Sequence, residues 1–195
     1  MKRIRTWLLM GTPVLIILIS AGMAGGWALT DTVIEATSDR AFCTVCHSME
    51  PFAQAYDQDS HGGRNPGGVA AACVDCHLPH TGPVRYLAAK VHTGLHDGWA
   101  QVLSLFKEPD WVGNLDRRAD YVYDSGCLRC HARLRDATSD DPTAAFAHQT
   151  YFQQGSNMHC VTCHAHVGHK DLLSVLTTDA EAALAAPAEA QQAGR

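Results

Sequence analysis

The chain is 195 residues long, enough for one modest domain or two very small ones. Its formal net charge of −5 gives no reason to expect a nucleic-acid partner, because phosphate binding calls for a basic surface. The eight cysteines say more, because their spacing leaves none over for a structural disulfide.

The N-terminus, MKRIRTWLLMGTPVLIILISAGMAGGWALT, opens with Lys2, Arg3 and Arg5 and continues as an uncharged, mainly apolar run over residues 6–30. At about 1.5 Å rise per residue such a run spans the roughly 30 Å hydrocarbon core of a bilayer. A cleavable leader is the competing reading, with an apolar stretch of about 7–15 residues closed by a small-x-small site. Ala21, Gly22, Ala24, Gly25 and Gly26 supply small residues, but Trp27, Ala28 and Leu29 carry the apolar stretch past them. Trp7 and Trp27 flank the span as interfacial anchors do. Residues 1–30 are therefore expected to form a retained anchor, with the basic cluster inside and the remainder of the chain outside. Residues 31–42 read as a short polar linker, with Asp31, Glu35 and Asp39 at the outer interface.

Every cysteine falls in a C-x-x-C-H unit: Cys43, Cys46 and His47; Cys73, Cys76 and His77; Cys127, Cys130 and His131; Cys160, Cys163 and His164. This is the attachment signature of c-type haem, in which two thioethers fix the porphyrin edge and the next histidine reaches the iron. Paired C-x-x-C units can also hold zinc or do dithiol chemistry. Neither alternative explains a histidine in register in all four copies, so four covalently bound haem c groups are expected. Such haems are attached on the outer side of the bacterial cytoplasmic membrane, which puts residues 43–175, the tetrahaem domain, in the periplasm. The first cysteines are 30, 54 and 33 residues apart, a pattern of two pairs around a longer middle segment.

The expected fold is mainly α with little regular structure, because the porphyrins supply much of the interior. HGGRNPGG, residues 61–68, reads as a loop. Residues 84–106 read as a long helix with an apolar stripe of Val84, Leu87, Ala88, Val91, Leu95, Trp99, Val102 and Phe106. Pro83 stands at its start and Pro109 beyond its end. Further helices are expected within residues 117–126 and around 142–154. The alanine-rich tail, residues 176–195, is expected to be disordered.

The chain has twelve histidines, so eight lie outside the motifs as candidate second ligands: His61, His80, His92, His96, His148, His159, His166 and His169. Spacing alone leaves their assignment open.

FCTVCHSMEP with His61 following, CVDCHLPH, Lys90 and Asp97 on the next helix, GCLRCH and CVTCHAHVGH occur here in the order of the NapC/NirT/NrfH family. The chain closely resembles these membrane-anchored tetrahaem quinol dehydrogenases of bacterial respiration, from the anchor to about residue 170. The resemblance implies that Met49, two places after His47, ligates the first haem, with ligation by His47 itself the alternative. It also implies His61 as distal ligand of the third haem, His169 of the second and His148 of the fourth. The motif histidines His77, His131 and His164 are the proximal ligands. Lys90 and Asp97 would line a quinol site beside the first haem, Lys90 orienting the quinol and Asp97 accepting its proton. The implied role is a quinol dehydrogenase subunit embedded in the lipid bilayer of the inner membrane. It would draw on the membrane quinol pool and serve a periplasmic multihaem or molybdenum reductase, with cytochrome c nitrite reductase one such partner. A periplasmic tetrahaem shuttle without a quinol site is the alternative.

Overall fold

The computed structural model describes residues 2–136, 140–153 and 158–185. Helix α1 runs from Lys2 to Ala36 and includes Pro13. Its segment Gly11–Ala36 has a mean hydropathy of 1.7 and makes no buried contact with the rest of the chain, so it is long and apolar enough to cross a membrane. The helix continues six residues into the expected linker, because no glycine or proline interrupts residues 31–36. It stops at Thr37 and Ser38, whose hydroxyls donate to the carbonyls of Val33 and Ile34, and Asp39 then caps the next helix.

Helix α2, Arg40–Cys43, delivers the first motif cysteine. A 3-10 turn, His47–Met49, leads into α3, Glu50–Asp57, with Pro51 in its first turn. Arg40 closes this unit by a two-pronged ion pair to Asp57, at 2.9 and 2.6 Å. The loop after α3 is as expected for its glycines and proline: Asn65 bonds the carbonyls of Ser60 and Val69, and Gly63 and Gly68 adopt positive φ. Helix α4, Cys73–His77, carries the second motif, and the Asp75 carboxylate accepts from the Ala72 amide at its start.

Helix α5, Pro83–Ser104, is the long helix read from the sequence. Its apolar stripe exists but none of its residues is buried. A short α6, Trp111–Asn114, capped by Asp110, is followed by a 3-10 turn, Leu115–Asp120. The helix expected within residues 117–126 is not one helix. The chain leaves helical form after Tyr121 and is extended at Tyr123; the Tyr121 carbonyl accepts from His77 Nδ1 (2.7 Å) and the Tyr123 amide donates to the Cys76 carbonyl (2.9 Å). Only then does α7, Asp124–Cys130, begin and present the third motif.

Helix α8, Pro142–Gln153, matches its expected span, and α9, Cys160–Cys163, holds the fourth motif. Helix α10, Leu172–Ala185, corrects the tail: residues 176–185 are helical, and residues 186–195 lie outside the described part. Two causes act together. Alanine is the strongest helix former, and Leu176 is buried where α10 packs on α3. The α3 partners there, Ala53 and Ala55, have side chains small enough for close approach, and the Ala55 carbonyl accepts from the Lys170 amide.

Among the described residues there is no strand, only one isolated bridge between Gly62 and Ala70. The buried apolar residues are few: Ala53, Ala55, Leu78, Val161 and Leu176. The tightest backbone contact joins the second and third motifs. A Cβ on Gly126 would overlap the Asp75 carbonyl, so α7 can meet α4 only through a glycine. Gly126→Ala is expected to lower stability by about 1–3 kcal/mol, since the opposing atom is backbone and cannot swing aside. Thermal unfolding of the haem-loaded protein would measure it.

Candidate functional site

In motifs 2, 3 and 4 both cysteines lie on one short helix: Cys73 and Cys76 on α4, Cys127 and Cys130 on α7, Cys160 and Cys163 on α9. Motif 1 departs from that pattern. Cys43 is the last residue of α2, while Cys46 lies beyond it in extended backbone (φ −80°, ψ 123°), just ahead of the 3-10 turn. The cause is local: the Thr44 hydroxyl donates back to the Arg40 carbonyl and the helix stops there. Cys46 is half-buried, and its carbonyl accepts from the Met49 amide at 2.9 Å, which ties this attachment cysteine to the methionine of the same motif.

The first cysteines meet in two pairs. The Cys43 thiol lies beside that of Cys73, and the Cys127 thiol beside that of Cys160. As free thiols, these contacts hold Cys73 and Cys127 down at about 7 and push Cys43 and Cys160 up. Motif 1 thus abuts motif 2, and motif 3 abuts motif 4.

The histidines form three ring pairs, each containing one motif histidine. His131 faces His61 with ring centres 6.2 Å apart, His77 faces His169 at 6.1 Å, and His164 faces His148 at 6.1 Å. Two imidazoles bound on opposite sides of one metal ion, each through nitrogen at about 2 Å, have ring centres about 6.3 Å apart. The spacing therefore fits an iron atom between each pair. Two of the three pairs join distant parts of the chain, residue 61 to 131 and residue 77 to 169.

Second contacts select which nitrogen is free. His61 Nδ1 is 3.0 Å from Asp59 Oδ1, His77 Nδ1 is 2.7 Å from the Tyr121 carbonyl, and His169 Nδ1 is 3.0 Å from the Phe52 carbonyl. Each ring that donates its Nδ1–H leaves Nε2 with a lone pair for a metal. Burial also lowers the pKa of His77 and His169, which favours the neutral, ligating form. Phe52 packs edge-on against both His169 and Trp111, fixing that ring further. These orienting groups were not singled out in the sequence. Asp59, two residues before His61, carried a readable D-x-H signal; the carbonyls of Phe52 and Tyr121 carried none.

Other histidines differ. His80 has both nitrogens engaged, by the Val74 carbonyl and Arg129. His92 and His96 stack at 6.4 Å, the spacing of neighbours one turn apart on a helix, and both are exposed. Among the described residues, His47 is the motif histidine whose ring faces no other imidazole. It is exposed, and Met49 beside it is half-buried at the start of α3.

Motif 1 is also the motif tied to α5. Ser48 Oγ donates to Gln101 Oε1 at 2.6 Å. Lys90 Nζ, half-buried and with its pKa lowered by desolvation, donates to the Thr37 carbonyl and Ser38 Oγ, both at 2.9 Å. These are the residues that end α1. Asp97 lies two turns further along α5, with its carboxylate 3.1 Å from His96 Nδ1.

A model of the NapC/NirT cytochrome c family, N-terminal region, matches residues 6–174. The chain belongs to that family. Among its relatives, the tetrahaem c-type cytochrome CymA of Shewanella oneidensis is 31% identical over 167 residues, 80% of this chain and 88% of CymA. The cytochrome c-type protein NapC of Escherichia coli strain K12 is 28% identical over 190 residues, 87% of this chain and 89% of NapC. A chain from the crystal structure of the cytochrome c nitrite reductase NrfHA complex bound to the HQNO inhibitor is 21% identical, with a TM-score of 0.49 over 77% of this chain and 90% of that one. This NapC/NirT protein is thus a tetrahaem c-type cytochrome of electron transport with an N-terminal membrane helix.

Asp124 links the third and fourth motifs of this family member. Its carboxylate accepts from the Cys160 amide (3.0 Å) and the Tyr151 hydroxyl (2.7 Å), whose pKa is raised by burial and by that bond. Asp124→Ala leaves both donors without their acceptor and is expected to cost about 1–3 kcal/mol. It should also lower the yield of four-haem protein, read by mass spectrometry of the purified chain.

Proposed function

We propose that this protein oxidises a membrane quinol beside the motif-1 haem and passes the electrons to a periplasmic reductase. The observation that carries the reading is the pair of hydrogen bonds from Lys90 to Thr37 and Ser38, directly after α1, together with the Ser48–Gln101 bond. These bonds hold motif 1 and α5 against the outer end of the membrane helix, where a lipid-soluble reductant arrives. Bound haem supplies reversible one-electron iron chemistry there.

The side chains of this chain divide the remaining work. Cys43 and Cys46 fix the first haem, and the other three cysteine pairs fix theirs. His77 with His169, His131 with His61, and His164 with His148 hold the irons of motifs 2, 3 and 4; the ring spacing and the engaged Nδ1 atoms of His61, His77 and His169 support the pairing. His47 has no imidazole opposite it, and Met49 is the ligand we assign to the first iron, leaving that centre accessible to the quinol. The ammonium of Lys90 has three N–H donors, of which the Thr37 carbonyl and Ser38 Oγ take two; the third orients a quinol oxygen and favours its anionic form. The Asp97 carboxylate accepts the hydroxyl proton. The two residues are seven positions apart, so they share one face of α5 at about 10.5 Å along its axis. The acceptor is a periplasmic multihaem or molybdenum reductase, with a nitrite reductase as one member of that class.

Asp97→Asn is expected to reduce quinol-driven haem reduction by about 100-fold or more, the scale of a lost general base, while dithionite still reduces all four haems. Stopped-flow absorbance in vesicles with a reduced quinone analogue measures this, and unchanged turnover removes Asp97 from the mechanism. Wild-type haems that stay oxidised in the same assay would overturn the function itself. His61→Ala is expected to convert one haem in four to a high-spin signal in electron paramagnetic resonance at unchanged haem content. An unaltered spectrum would remove His61 as a ligand.

A further inference from the structure

Helix α5 is amphipathic the wrong way round for a helix packed on a protein. At about 3.6 residues per turn, Lys90, Thr93, Asp97, Gln101 and Ser104 fall on one face. Most of that polar face is turned inward: Lys90, Thr93, Gln101 and Ser104 are half-buried while Asp97 is exposed, Lys90 bonds the two residues after α1, and Gln101 bonds motif 1. The opposite face holds Val84, Leu87, Val91, Leu95, Trp99 and Val102, with Phe106 just past the end of the helix, and it points outward, with Leu95 72% and Phe106 84% exposed. No ionisable side chain interrupts that arc; Arg85, His92 and His96 border it along one side. A helix that puts its polar face toward the protein needs an apolar medium on its other face.

We propose that α5 lies along the outer surface of the bilayer with this apolar face sunk into the boundary between lipid headgroups and acyl chains. The proposal rests on α1 being a membrane anchor. Lys90 fastens α5 to Thr37 and Ser38, directly after α1 ends, so α5 lies beside the outer end of a helix whose own apolar residues, Trp27, Leu29 and Val33 among them, are exposed. Lipid covers that surface, and the same lipid reaches α5. A charge-free apolar arc, a tryptophan within it and cationic or titratable groups at its margin are the composition of helices that rest in the interface. The consequence is a short route for the quinol, from the acyl region beneath α5 to Asp97 on its other face.

The test uses the full haem-loaded chain in lipid vesicles with one added cysteine, since the eight native cysteines are consumed by haem attachment. Leu95→Cys and Val91→Cys probe the stripe, and Asp116→Cys on the exposed turn after α6 reports accessible haem domains. A membrane-impermeant maleimide is expected to label the two stripe variants at least about tenfold more slowly than Asp116→Cys, at every protein-to-lipid ratio. Equal labelling rates would overturn the proposal, as would protection that disappears on dilution with lipid, which would mark a second copy as the occupant. Flotation of the vesicles separates the two readings: protein that does not float with lipid overturns the anchor, whereas protein that floats with a freely reactive Leu95→Cys overturns only the placement of α5.

Discussion

Three pairs of imidazole rings held 6.1 or 6.2 Å apart are the constraint around which the tetrahaem domain is arranged. Five buried apolar residues among the described ones are a slender core, and short helices of four to eight residues add little stability of their own. What gives the domain one conformation is the set of contacts around those rings. His169 returns to Phe52 and His77, so the last motif's flank closes over α3 and α4. His61, fixed by Asp59, reaches across to His131. Covalent haem, which this family carries, adds rigid apolar plates to a domain with few buried side chains.

The same contacts settle where backbone regularity is lost. The chain leaves helical form just after Tyr121, whose carbonyl is taken by His77, and Tyr123, in extended backbone, pairs with Cys76. Gly126 then allows α7 to touch α4 backbone to backbone. Motifs 2 and 3 are far apart in sequence and adjacent in space, so the two sequence pairs of motifs become one continuous array. Continuity of that kind is what electron transfer through a chain of centres requires.

At the membrane end the organisation is set by α1 and α5. Lys90 donates to Thr37 and Ser38, the two residues after α1, and Gln101 on the same helix bonds Ser48 of motif 1, which holds motif 1 and α5 beside the end of the membrane helix. The desolvation that lowers the Lys90 pKa is the electrostatic cost of using an ammonium as this fastening. Its position explains why a residue that reads in sequence as one charge on a solvated helix face is half-buried in the fold.

The sequence alone determined the four haem units, the apolar N-terminal span, the long helix after motif 2 and the mainly α character, because each is a local pattern of spacing or periodicity. Resemblance added the histidine partners, which no spacing rule assigns. Only the tertiary structure decided the rest. Identical C-x-x-C-H spacing hides that Cys46 stands outside a helix while its counterparts Cys76, Cys130 and Cys163 stand within one. The fold extended α1 through residue 36 and formed α10 where a disordered tail was expected, since Leu176 finds α3 only in the fold. It broke the helix expected within residues 117–126, because a long-range bond to His77 outweighs local helix propensity. It also turned the apolar stripe of α5 outward. Periodicity reveals that a helix has two faces, but which face meets the protein depends on the residues waiting there, and here they are the polar end of α1 and Ser48 of the first motif.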